Sequence, residues 1–184
     1  MGKLKLMKDF LCNIGYDNAL IFSNPYYTSA FVGVANKRVV YEYDRMVKEL
    51  AETEQIEIED AIDFIEYDTL RALSQTVDAP IVFYEIKDAE LRREYLMDDD
   101  TVILYQLEFD DAFIGIRVET GQAVYSYDEM IRSLCYYEKI TEEDAIDYIE
   151  SIIDKMEEEF PDETTRPIIL YEVDLDEFAE TVLA

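Results

Sequence analysis

The chain has 184 residues, 49% of them apolar, and sets 44 acids against 16 bases with no histidine, a net charge of −28. That much apolar and aromatic side chain excludes intrinsic disorder. The missing imidazole excludes Ser-His and Cys-His nucleophile systems and histidine-ligated metals, and the net charge disfavours binding nucleic acid directly.

In chain order, the start carries Lys3, Lys5 and Lys8 without the apolar core of a secretory leader, and Leu6 occupies the position a myristoylation motif gives to Ser or Thr. Leu4, Met7, Phe10, Leu11 and Ile14 recur at helical spacing and predict an amphipathic helix. Cys12 and Cys135 are too few and too far apart for a disulfide framework, and read as two buried thiols of a reducing, cytoplasmic protein. No apolar run approaches the roughly 18 residues of a membrane span.

Three strands are predicted next, over residues 19–23, 30–35 and up to the Tyr41-Glu42-Tyr43 junction. Asp44 then stands where an N-cap belongs, ahead of Met46, Val47 and Leu50 at helical spacing. A second helix starts near Glu57, and a last strand follows Pro80, since proline suits a strand start.

The same text is then written again. Ala30-Phe31-Val32-Gly33-Val34 returns as Ala112-Phe113-Ile114-Gly115-Ile116. Val40-Tyr41-Glu42-Tyr43-Asp44 returns as Val124-Tyr125-Ser126-Tyr127-Asp128. Glu59-Asp60-Ala61-Ile62-Asp63 returns as Glu143-Asp144-Ala145-Ile146-Asp147, and Pro80-Ile81-Val82 as Pro167-Ile168-Ile169. Four blocks in one order signal an internal duplication. The second copy supplies a first strand over 101–106, an N-cap at Asp128, and a capping box from Thr141 to Asp144. A short helix near 91–97 separates the copies, and a helix over 174–182 closes the chain. The expected fold is α+β, an internally duplicated β-β-β-α-α-β unit with mainly antiparallel sheets, helices on one face and a pseudo-two-fold axis. The first repeat is placed at 1–86 and the second, with the C-terminal helix, at 87–184.

The charge divides unevenly between them. Residues 1–86 hold 15 acids and 8 bases, residues 87–184 hold 29 and 8. In the second copy Glu143, Asp147, Glu150, Asp154 and Glu157 or Glu158 recur at steps of four and three, on one stripe of a helix. Ile146, Ile149, Ile153, Met156 and Phe160 form the apolar stripe, so the acids are expected to face outward. Successive carboxylates stand roughly 5–6 Å apart along the axis, near the spacing of phosphates on a nucleic-acid strand. Asp98-Asp99-Asp100 and Asp110-Asp111 add further clusters. The first copy has only Glu59, Asp63 and Glu66. A solvated face explains any one such run, and adaptation to high salt would explain acidity in general, though not its clustering.

Glycine-rich phosphate loops are absent, Asp98-Asp99-Asp100 lacks the alternation of a calcium loop, and no carboxylate pair stands out for acid–base work. The sequence therefore predicts no enzyme, no cofactor and no metal, but a protein that binds a basic partner.

Asp17-Asn18-Ala19-Leu20-Ile21-Phe22 and Glu59-Asp60-Ala61-Ile62-Asp63-Phe64-Ile65, together with the duplication and the length, carry a resemblance. The chain is similar to small acidic proteins of phages and mobile elements of gut Firmicutes, and among those it resembles the type II-A anti-CRISPR inhibitors of Cas9. The resemblance implies a nucleic-acid mimic in the cytoplasm of a bacterial host cell that binds Cas9 with its guide RNA and blocks target DNA. Cas9 holds its heteroduplex in a positive channel and reads a short duplex with arginines, so acidic stripes fit it. The sequence leaves open a restriction enzyme as target, or an immunity or adaptor role against a basic toxin or nuclease. The expected contact residues are Glu143, Asp147, Glu150, Asp154, Glu157, Glu158, Asp98, Asp99, Asp100, Asp110 and Asp111.

Overall fold

The computed structural model describes residues 2–73, 75, 76, 78–98, 103, 104 and 106–183. It divides into two compact units. The first joins Met1–Tyr84 to Glu172–Ala184, and the second is Glu85–Tyr171. The C-terminal helix thus belongs with the first unit, not with the second repeat as the sequence order suggested. The cause is aromatic packing: the Phe178 ring meets Phe10 edge-on at 5.3 Å, and Val173 and Leu175 pack on the first core.

In the first unit, helix α1 (Lys3–Asn13) buries Leu6, Met7 and Leu11. A 3-10 stretch (Pro25–Ala30) leads into strands β1 (Phe31–Ala35) and β2 (Arg38–Glu42), then helix α2 (Tyr43–Glu54). A second helical run follows: α3 (Ile58–Phe64), a π-helical segment (Ile65–Leu70) and the short α4 (Arg71–Leu73), before strand β3 (Ile81–Glu85). β1 and β2 pair antiparallel around Asn36 and Lys37, both at positive φ, the geometry of a two-residue hairpin turn. β2 and β3 pair parallel, Val40 against Ile81 and Glu42 against Phe83.

The second unit uses the same order: α5 (Ala89–Met97), a 3-10 stretch (Leu107–Ala112), β4 (Phe113–Arg117), β5 (Ala123–Ser126), α6 (Tyr127–Tyr137), α7 (Glu142–Glu159) and β6 (Ile168–Glu172). Phe113 opposes Tyr125 as Phe31 opposes Tyr41, with a bulge after the phenylalanine in both. β5 and β6 pair parallel. The hairpin is longer here, Arg117 to Gln122, and turns through Gly121 at φ 69, a conformation that favours glycine. Helix α8 (Leu175–Leu183) ends the chain.

Beyond β3 the Ile86 N–H donates to the Ile114 carbonyl, and beyond β6 the Val173 N–H donates to the Val32 carbonyl, both at 2.9 Å. The protein is α+β, but the expected mainly antiparallel sheets are corrected. Each unit holds one antiparallel and one parallel pairing, because its two helices form the crossover that a parallel connection requires.

The expected first strand of each copy is also corrected. Residues 19–23 are not a strand, nor are 103, 104 and 106; residues 101, 102 and 105 lie outside the described residues. A buried tyrosine holds these stretches instead: the Phe22 N–H donates to Tyr41 Oη at 3.3 Å, and the Leu104 N–H to Tyr125 Oη at 3.2 Å. One tyrosine hydroxyl takes the place of a ladder of backbone bonds. In both units the order 3-10, β, β, helix, helix, β follows an opening helix.

The caps are corrected by one turn position. α2 and α6 begin at Tyr43 and Tyr127, so Asp44 and Asp128 fall inside the first turn and Glu42 and Ser126 become the N-caps. Glu42, almost wholly buried, accepts from the N–H groups of Asp44 and Arg45 at 2.9 and 2.7 Å. Its burial still raises its carboxyl above the usual range, which the two backbone bonds only partly oppose. Thr141 caps α7 as expected, accepting from the Asp144 N–H and donating to its carboxylate. The cysteines are not both buried: Cys12 is exposed and Cys135 half-buried, and both are free thiols.

Candidate partner-binding surface

α7 carries most of the residues expected to make contact. Its buried side chains are Ala145, Ile149, Ile152 and Met156. This stripe is rotated from the expected one: Ile146 and Ile153 are only half-buried and Phe160 is exposed. Ala145 explains the shift, since its small side chain, fully buried, lets this face of α7 approach α6. At about 100° per residue, Glu143, Asp147, Glu150, Asp154 and Glu157 then lie within roughly 80° of arc, opposite the buried stripe. All five are exposed, as is Glu158. From Glu143 to Asp154 the carboxylates run along roughly 16 Å of one rigid helix.

Their environments differ. Among the described residues no ion pair engages Glu143, Asp147, Glu150, Asp154 or Glu158, whereas Glu157 pairs with Arg166 at 3.3 Å. Arg166 is itself fixed from behind: its carbonyl, with that of Glu163, accepts from the Gln122 amide at 2.7 and 2.6 Å. Gln122 is buried and also holds Thr120 and Arg117. Glu157 thus serves the fold, and the free stripe is the other four, with Glu158 beside them. The signal for this was one residue, Arg166, the only base between Lys155 and the C-terminus.

The other clusters divide similarly. Asp98 is exposed just past α5, and Asp99 and Asp100 lie outside the described residues. Asp110 and Asp111 are exposed in the 3-10 stretch Leu107–Ala112, together with the half-exposed Glu108. Burial first, then the charges of Asp111 and Glu108, push the Asp110 carboxyl up. Asp162, by contrast, is a cap: it accepts from the N–H and hydroxyl of Thr164, which hold its carboxyl below the usual range.

The 15 tyrosines of the sequence suggest contact surface wherever one stands beside a carboxylate, but the sequence does not say which ones do. Tyr137 donates to Asp111 Oδ2 at 2.5 Å, and Tyr148 to Glu108 Oε1 at 3.4 Å. The hydrogen bond to Asp111 raises the Tyr137 phenol, and burial first, then the Glu108 charge, raises that of Tyr148, since ionising either phenol would set two negative charges side by side. Tyr136, Tyr137 and Tyr148 are 67, 52 and 42% exposed, so aromatic surface is interleaved with charge.

The first unit has a shorter acidic surface of its own: Glu59, Asp63 and Glu66 are exposed, Tyr43 donates to Glu66 Oε1 at 3.2 Å, and Tyr67 is 69% exposed. Its second helical run is interrupted by the π-helical segment, and it also has a cleft of about 330 Å³ lined by Leu20, Phe22, Asn24, Tyr27, Thr69 and Leu73. Tyr27 Oη and Thr69 Oγ1 lie 3.2 Å apart at its wall. Among the described residues no group of three or more Cys, Asp or Glu side chains is arranged to hold a metal ion, and no helix is long and apolar enough to cross a membrane.

The chain is thus an α+β protein of two compact units with an acidic, tyrosine-bearing face on the second. Comparison with protein-family models, with curated proteins and with solved structures gave no match to any of them.

Proposed function

We propose that this chain is a non-catalytic, nucleic-acid-mimicking inhibitor of a basic DNA-processing protein in the cytoplasm of a bacterial host, with guide-loaded Cas9 as its foremost target. The observation that carries this reading is the row Glu143, Asp147, Glu150 and Asp154: four exposed carboxylates without ion pairs, on one helix whose opposite face is anchored in a core. Such a row is pre-organised, so binding a groove lined with lysine and arginine costs little ordering entropy. The second unit, Glu85–Tyr171, holds 25 acids and 8 bases against 19 and 8 for the rest of the chain, which supports it as the contacting unit. In the same reading the chain is an internal duplication: the core of both copies is retained, and the outer surface of the second has become the contact face.

The test is competition. Guide-loaded Cas9 is titrated with labelled target duplex in the presence of this chain, and the chain alone is run against the duplex. The chain should lower DNA binding by Cas9 and should not shift the duplex itself. The variant Glu143→Gln, Asp147→Asn, Glu150→Gln, Asp154→Asn should compete less well, by about 1–4 kcal/mol at low salt, with the loss mainly in association rate. A direct shift of the duplex at moderate salt ends the mimicry reading. Competition with a restriction nuclease or a basic toxin, but not with Cas9, keeps the mimicry and moves the target.

A further inference from the structure

We infer that the face formed by Tyr137, Tyr148, Glu108 and Asp111 is an arginine-recognition surface, which takes an arginine-rich segment of the basic partner; this rests on the reading of the chain as a binder of a basic protein. Three elements build the face. The 3-10 stretch Leu107–Ala112 supplies Glu108 and Asp111, one turn apart. The last residue of α6 supplies Tyr137, bonded to Asp111, and α7 supplies Tyr148, bonded to Glu108. These hydrogen bonds hold each ring beside a carboxylate while about half of the ring's surface stays open to solvent.

That pairing matches guanidinium chemistry. Arginine stacks its planar, weakly hydrated head on an aromatic face and can offer two parallel N–H groups to a carboxylate. Lysine, a compact and strongly hydrated charge, gains less from such a face. The surface already holds one cation in this manner: the Lys139 ammonium sits 4.5 Å from the centre of the Tyr136 ring, and that ring meets Tyr137 edge-on at 5.0 Å. Yet among the described residues no base pairs with Glu108, Asp110 or Asp111, and their mutual repulsion adds to the burial that raises the Asp110 carboxyl. A bound cation would relieve that repulsion.

The fold does not require these residues. The equivalent 3-10 stretch of the first unit places Tyr26, Thr28 and Ser29 where Glu108, Asp110 and Asp111 stand, and Thr53 where Tyr137 stands. What both units retain is the buried part, Tyr27 or Phe109 and Ala30 or Ala112. The carboxylates of this 3-10 stretch are thus particular to the second unit, whereas Phe64, which stands where Tyr148 does, keeps an exposed ring in the first.

The experiment uses the full chain and two synthetic peptides of equal length and charge, one of alternating arginine and glycine, one of alternating lysine and glycine. Titration followed by NMR should shift the Tyr137 and Tyr148 ring resonances with the arginine peptide, which should bind several-fold tighter than the lysine peptide. Replacing both tyrosines by leucine should weaken the arginine peptide roughly five- to thirtyfold and erase the preference. The Tyr137→Phe, Tyr148→Phe variant, which keeps the rings, should retain it, and this variant separates recognition from loss of fold. Equal affinity for the two peptides, or shifts confined to the α7 acids, overturns the inference while leaving the mimicry reading in place. Arginine preference in a chain that fails to compete on Cas9 supports the surface and removes only the proposed target.

Discussion

The Arg166 guanidinium stands 3.3 Å from the Glu157 carboxylate, with the arginine side chain 8% exposed and the glutamate 53% exposed. A buried cation thus draws one acid out of an otherwise uncompensated row. Among the described residues its buried Nε meets no hydrogen-bond partner, and the Glu157 carboxylate is the acid that pairs with the charge. Removing one partner of such a pair leaves the other stranded, which costs more than the pair contributes.

Glu157→Gln should therefore lower stability by about 1–2 kcal/mol, less than a fully buried pair would because the glutamate is half in water. Asp154→Asn, one turn away, should stay within about 0.5 kcal/mol of the parent chain. Urea melts of the two variants give the comparison. Equal losses would mean that the Arg166 charge is compensated elsewhere.

The four unpaired acids should behave in the opposite way. Replacing Glu143, Asp147, Glu150 and Asp154 by their amides removes like-charge neighbours at helical spacing, each worth a few tenths of a kcal/mol. The fourfold variant should melt at the same temperature as the parent or above it. A marked fall would show that these side chains hold the fold and are not a free surface.

The tyrosine bonds to the extended segments give a graded pair. Tyr125→Phe leaves the Leu104 N–H without its partner in a buried setting, at a cost of about 1–3 kcal/mol. Tyr41→Phe leaves the Phe22 N–H in a half-buried setting that water can reach more easily, and should cost less. Thermal melts, with hydrogen exchange at Phe22 and Leu104, check both the order and its cause.

Stability should rise as pH falls from 7 toward 5. Glu42 has a raised pKa, so the folded state binds its proton more readily than the unfolded chain does. That contribution is fully present below the unfolded value of about 4.3 and is lost as pH rises through the folded value. Asp110 is raised too and acts in the same direction. Asp162 is lowered, so its opposite contribution is lost only below the usual aspartate range and leaves this window clear. Glu42→Gln should flatten the slope of melting temperature against pH between 7 and 5. An unchanged slope would assign the effect to general charge repulsion.

Salt separates function from solvation. If the acids serve a partner, the fold should form fully in 20 mM salt, and molar salt, with a screening length of about 3 Å, should weaken partner binding. A circular dichroism spectrum that becomes native only in molar salt would identify adaptation to brine instead.

The sequence by itself determined what depends on short-range periodicity. The helical spacing of Met46, Val47 and Leu50, the Thr141–Asp144 cap and the outward stripe of α7 all follow from side chains a few residues apart, and all stand in the structure. Tertiary structure decided what depends on partners distant in the chain. Whether β2 pairs parallel with β3, whether residues 19–23 form a strand or hang on Tyr41, and whether Phe178 closes on Phe10 are settled by which surfaces meet. The same holds for the site. Local spacing showed Glu157 as one of five equal acids, and only the fold brings Arg166 beside it; likewise only the fold sets Tyr137 and Tyr148 against Asp111 and Glu108. A periodic pattern says which way a side chain faces, but the partner it meets is fixed by contacts 9, 26 or 40 residues away along the chain.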